Sequence, residues 1–170
     1  MRNNMKLIIQ IFFVSIFFQS CSFDDNNIDA ILIASPTATH IEFIEKSVAS
    51  NKPVYCEKPI DLSLARVQQV VAKVNASPIT SMLAFNRRFD SNFALLQQRI
   101  AAGDIGDVEL VSIISKDPSP PPVDYIKVSG GLFRDMTIHD FDMARFLLAE
   151  EVVQVTAQAS CLVDPAIGLA

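Results

Sequence analysis

Glycine is scarce in this chain: five in 170 residues, none before Gly103, with no G-x-G-x-x-G run anywhere. That excludes, from the sequence as it stands, a glycine-rich turn whose backbone and following helix N-terminus cradle a pyrophosphate. Histidine is scarcer still. His40 and His139 are the only two, neither has a second ligand at metal-binding spacing, and no metal site is expected. The three cysteines, Cys21, Cys56 and Cys161, lie far apart and form no CxxC pair. This fits a reducing compartment and neither a disulfide framework nor a zinc site. The net charge is −5 and no basic cluster interleaves with aromatics, which argues against nucleic acid as a partner. There are no internal repeats, and the one biased tract is the proline run from Pro118 to Pro122.

What is there is core-forming material. Half the residues are apolar and 19% are charged, so the chain is globular, with the length of one domain or parts of two. Residues 1–22 form an atypical apolar segment. Arg2 and Lys6 precede a run from Leu7 to Phe18, apolar except for Gln10 and Ser15, and Ser20-Cys21 follows. The run is short for a membrane span, which takes about 20 apolar residues. A basic start, a short apolar core and a small residue before Cys is the pattern of a bacterial lipoprotein signal anchored through Cys21. Phe18 and Gln19 fit that pattern poorly. The expectation is therefore a segment that replaced something by truncation or frameshift, in a cytoplasmic protein.

Residues 23–86 alternate strand and helix. Asp29–Ala34 is a continuous apolar run, as in a strand buried on both faces of a parallel sheet. Ser35-Pro36-Thr37 breaks it, and Ile41, Ile44 and Val48 recur at helical spacing. Pro53–Cys56 is a second short strand. Ser63 can cap a helix whose apolar face is Leu64, Val67, Val70, Val71 and Val74. Ile79–Phe85 is a third strand. Strands joined by helices through short links make βαβ units, an α/β fold built on a doubly wound parallel sheet. Residues 87–170 read as the start of an α+β domain with an open sheet. Asp90-Ser91 opens a helix with Phe93, Leu96 and Ile100 inward, stopped by Gly103. Val108–Ser115 and Glu151–Ala159 read as strands. Between them lie a proline loop and Gly130-Gly131, which would allow a tight approach before a helix carrying Asp135 and His139.

In an open parallel sheet, ligands bind beyond the carboxyl ends of the strands. Three polar clusters sit at such ends: Ser35-Pro36-Thr37 with His40, then Glu57-Lys58-Pro59, then Asn86-Arg87-Arg88. Lys58 follows a buried strand directly and Pro59 restricts its backbone. A positive charge there can stabilise an alkoxide as it forms. Asp135 and His139, four apart, would stack on one helix face. An imidazole titrates near the working pH that a general base needs, so His139 can take a hydroxyl proton. Asp135 would bind a substrate hydroxyl or orient that ring. Each has a plainer alternative: a solvated lysine, a capping aspartate, a core histidine. His40 would face a bound cofactor or start its helix. Arg87 and Arg88 would pin substrate or pair with acids. Asp142 reads as a solvated helix residue, and Cys56 as a buried small hydrophobe.

The runs DAILIASPTATH, VYCEKP, FNRRFD, DPSPPPVDYIKVSGGLFRDMTIHDFDMARFLL and SCLVDPAIG resemble the Gfo/Idh/MocA oxidoreductase family, from about Asp25 to the end. EKP marks the superfamily, and the long DPSPPP stretch is similar to its inositol-type members. The resemblance implies a nicotinamide-binding doubly wound domain, then an α+β open-sheet domain, and a homotetramer. It implies a catalytic role for Lys58, Asp135 and His139, with Ser35, Thr37, His40, Glu57 and Lys58 along the nicotinamide half of NAD. Arg88 and Asp135 would contact substrate. The implied reaction is oxidation of the axial hydroxyl of myo-inositol to a ketone. The family's glycine-rich turn and ribose-reading acid are missing here, and with them the region that separates NAD from NADP. Cofactor binding is therefore expected to be weak. A dehydrogenase of another sugar or polyol, and a non-catalytic lipoprotein or binding module on the same fold, are the competing readings.

Overall fold

The computed structural model describes residues 7–10 and 23–169 of the chain. They divide into two compact units at Ala84/Phe85. The first is an α/β layer. Its sheet has four parallel strands in the order β1 (Leu7–Gln10), β2 (Ala30–Ile33), β3 (Val54–Cys56) and β4 (Ser81–Leu83). Leu7 stands opposite Ala30, Ile31 opposite Val54, and Val54 opposite Ser81. Neighbouring parallel strands need crossovers. Here α1 (His40–Ala49) links β2 to β3 and α2 (Leu64–Asn75) links β3 to β4. The strand–helix alternation read from the sequence is thus the architecture of this unit.

The core is apolar and small. Ile31 and Ile33 of β2, Ile41 and Ile44 of α1, Val54 and Cys56 of β3, Val70 of α2 and Phe23 form one buried cluster. Ile33 is 0% exposed. Ile33→Val, which removes one buried methylene, should lower the stability of this unit by about 1 kcal/mol. Urea unfolding checks it, and a cost near zero would show that the site collapses freely.

Several expectations change. The sheet has a fourth strand, because Leu7–Gln10 of the atypical segment pairs with β2. Cys21 and the rest of that segment lie outside the described residues, and so does the lipid-anchor reading. Among the described residues, no helix is long and apolar enough to cross a membrane. Ser63 occupies the N-cap of α2 without a side-chain cap bond. Leu64 and Val71 are exposed, so α2 packs through Val70 and Val74. The expected face was too wide, and both exposed residues lie at the same edge of it.

The second unit is helical among its described residues. A 3-10 turn, Asn86–Phe89, leads into α3 (Ser91–Ala101), where Asp90 caps the helix by accepting from the N–H groups of Asn92 and Phe93. Gly103, at φ 78°, ends it. Next come α4 (Val123–Ser129), α5 (Gly131–Asp135) and α6 (Ile138–Leu148). Phe93, Leu96 and Ile100 are not packed inward as expected. They line an open cavity of about 430 Å³ with Met143 and Leu147 of α6. The expected strands 108–115 and 151–159 form no ladder among the described residues. Val153 is 99% exposed. Alternation favours an extended backbone, but a strand exists only when a neighbour takes its N–H and C=O groups.

Candidate active site

The carboxyl ends of β2 and β3 present one edge of the first unit. Both strands stop because Ser35-Pro36 and Glu57-Lys58-Pro59 leave the ladder; its last rung is the Glu57 N–H donating to the Ile33 carbonyl at 2.9 Å. Ser35 is buried, and its hydroxyl lies 2.6 Å from that of Thr39, which donates in turn to the Pro36 carbonyl. Thr37 begins the 3-10 turn leading into α1. Glu57 and Lys58 are half-buried and the Lys58–Pro59 peptide is cis. Ser35, Thr37, Glu57 and Lys58 therefore share the edge where the sequence put them.

His40 does not face outward from that edge. It is 1% exposed, and its ring nitrogens lie 2.8 Å from the Pro59 carbonyl and 2.7 Å from the Ser35 carbonyl. Both ring nitrogens face backbone carbonyls, so of the two readings for His40 the helix-start role is the one its contacts show. Cys56 is buried, as expected for a small hydrophobe. Burial, aided by the neighbouring Glu57 carboxylate, pushes its thiol up to about 12. Iodoacetamide at neutral pH should then alkylate exposed Cys161 at least about 10²-fold faster than Cys56, since only the thiolate reacts. Peptide mass spectrometry reads the ratio, and equal rates would contradict this burial.

In the second unit, Asp135 and His139 are not on one continuous helix. Asp135 ends α5 and His139 lies in the first turn of α6. The His139 N–H donates to the Met136 carbonyl, one residue short of an α-helical bond to Asp135. Gly130 caps α5 and Gly131 begins it, and no close approach is made at Gly131. Gly130 and Gly131 have φ of 87° and 73°, and a Cβ on Gly131 would meet open space. Tyr125 of α4 hydrogen-bonds the Asp135 side chain. Its phenol is raised by burial first and by the Asp135 charge second. The edge of Phe85 meets the His139 ring at 6.4 Å and 87°, and Nδ1 of that ring is buried.

Two ion pairs fix the helix that carries His139. Arg87 Nη1 donates to Asp140 at 2.5 Å. Arg88 donates to both oxygens of Asp142, from Nε at 2.8 Å and Nη2 at 2.6 Å, and lies over the Phe146 ring. The Asp142 bond holds the Arg88 guanidinium above its ordinary value. Of the two alternatives for these arginines, the structure shows the pairing with acids. Asp142, expected to be solvated, is buried, and Asp140 beside it was not singled out at all. The visible signal was two adjacent arginines and two acids just after a histidine; their pairing spans more than fifty residues of sequence.

Comparison with known proteins places both units. Residues 16–85 match the family model described as an oxidoreductase family with an NAD-binding Rossmann fold, and residues 93–169 match the GFO/IDH/MocA C-terminal domain. The inositol 2-dehydrogenase of Rhizobium meliloti is 56% identical over 142 residues, which are 84% of this chain and 43% of that protein. The crystal structure of a myo-inositol dehydrogenase from Corynebacterium glutamicum superposes with a TM-score of 0.80 at 46% identity, over 86% of this chain and 44% of that one. A scyllo-inositol dehydrogenase from Lactobacillus casei, solved with NAD(H) and scyllo-inositol, gives 0.64 at 35% identity, over 76% of this chain and 40% of that one. The chain thus spans less than half the length of these relatives.

Proposed function

The chain belongs to the Gfo/Idh/MocA oxidoreductase family, and from that premise we propose that it carries the catalytic half of an NAD-dependent inositol 2-dehydrogenase. The observation that carries the reading is the Glu57-Lys58-Pro59 turn, standing with Ser35 and Thr37 at the carboxyl edge of a parallel sheet. The nicotinamide half of NAD fits that edge. The pyrophosphate half has no glycine-rich turn to hold it. We therefore expect calorimetric titration of the isolated chain to give no micromolar NAD binding; a micromolar isotherm would show that another cradle exists.

Bound NAD supplies the acceptor for the carbinol hydrogen and its electron pair. The chain's own residues handle the rest. His139 takes the hydroxyl proton. The Lys58 ammonium sits against the oxygen and stabilises the negative charge that grows on it. Asp135, oriented by Tyr125, accepts from a second hydroxyl of the polyol and fixes which carbon is presented. Arg87 and Arg88 act at one remove, holding α6 through Asp140 and Asp142. The product is a ketone. In this reading Lys58, Asp135 and His139 serve one carbon, in a family assembly of four chains.

The experiment uses a hybrid in which this chain's matching residues replace those of the Rhizobium meliloti relative. Steady-state rates are measured on a panel of inositols and sugars. The expected result is the highest kcat/KM on myo-inositol. A preference for scyllo-inositol would favour the second reading, a related polyol, which the scyllo-inositol-bound neighbour supports.

A further inference from the structure

The contacts of His40 are those of a tether. The ring is buried at the start of α1, between two loops that leave adjacent parallel strands. On one side is the carbonyl of Ser35, beyond β2; on the other is the carbonyl of Pro59, beyond β3. The β2–β3 ladder ends one step earlier, at the bond from Glu57 to Ile33. His40 is therefore a tie outward of the last rung. Pro59 is itself buried, and Lys58 is the residue between that rung and that tie. A carbonyl only accepts, so any ring nitrogen carrying hydrogen donates it to one of these loops. A partner lost here would leave a buried carbonyl unsatisfied, and the turn would have to move to reach water.

We propose that His40 is a positioning residue for Lys58: wedged with Nδ1 2.8 Å from the Pro59 carbonyl and Nε2 2.7 Å from the Ser35 carbonyl, and donating from whichever nitrogen carries the hydrogen, it sets where the lysine amine stands at the sheet edge. The catalytic meaning of this tether rests on the reading of Lys58 given above, but the tether can be tested without it. The resemblance implied that His40 lies along the nicotinamide half of the cofactor; the burial of its ring adds the loop behind the lysine to what it touches.

The test is trace acetylation of the folded chain with acetic anhydride, read by peptide mass spectrometry as the labelling of Lys58 relative to Lys73. Lys73 lies on α2, paired with Glu45, away from the tether. His40→Ala should change the Lys58/Lys73 ratio by roughly five-fold, the scale of one buried hydrogen bond. A merely structural histidine would lower the melting temperature and leave the ratio alone. His40→Asn, whose amide can donate near the Nδ1 position, should return the ratio toward that of the natural chain; His40→Gln, which reaches toward Ser35, should not. An unchanged ratio in folded His40→Ala overturns the proposal. Should that variant not fold, equal ratios in the Asn and Gln variants overturn it. Acetylation needs neither NAD nor polyol. A shifted ratio beside a hybrid that oxidises no polyol would leave the tether standing and sink the dehydrogenase reading.

Discussion

Lys58→Ala and His139→Ala, each made in the hybrid enzyme, should lower kcat by roughly 10²-fold or more with a smaller change in KM. The two losses have different causes. Without the ammonium, the alkoxide forms with no positive charge beside it, and a low-dielectric edge makes that charge matter more than in water. Without the imidazole, the hydroxyl proton has no positioned base to take it and must go to water. Because both act on one bond, their effects should not add: the double variant should be little slower than the worse single one. Stopped-flow and steady-state rates on myo-inositol check this. Near-normal turnover in either single variant would remove that residue from the mechanism.

Arg88→Ala should destabilise the second unit by about 3 kcal/mol, because it strips the partner from a buried carboxylate. The Asp142 side chain is 4% exposed, while Arg88 is 37% exposed. The asymmetry predicts an order. Losing Arg88 leaves a charge in the interior, whereas losing Asp142 leaves a guanidinium that can still reach solvent, so Asp142→Ala should cost less. Replacing both with apolar residues of similar size, Arg88→Met with Asp142→Leu, should recover much of the loss. Urea unfolding of the single and double variants measures all three. Equal costs for the two single variants would mean that Asp142 is not held in the interior by Arg88. The same pair, with Arg87–Asp140, anchors α6 just beyond His139, so Arg88→Ala should also lower kcat in the hybrid even though Arg88 contacts no reacting atom in this account.

The first unit was legible because its elements report on themselves. A buried parallel strand such as Ala30–Ile33 needs an unbroken apolar run, and Pro36 or Pro59 can only end it. The second unit was less so, for three physical reasons. Residues 108–115 have the alternation of a strand, but a ladder depends on a partner that no local pattern encodes. Asp135 and His139 have the spacing of one helix face, but the turn at Met136–Thr137 breaks the register between them. Asp142 was read as solvated because most helix acids are; its burial depends on Arg88, which no spacing rule connects to it. His40 shows the same limit: its place at a strand end was clear, and the direction of its ring was not. What the sequence supplies well is the list of polar residues at strand ends, and what the fold adds is which of them are spent on backbone or on each other.

The central claim is that Lys58, Asp135 and His139 work on one carbinol carbon. The most direct measurement is a single turnover of the hybrid with myo-inositol carrying deuterium on the carbon to be oxidised, followed by mass spectrometry of the nicotinamide. The account predicts the label on the reduced cofactor in the hybrid with its natural Lys58 and His139, and none above background within the same time in either alanine variant. Label lost to water, or transferred equally well without Lys58, would contradict it.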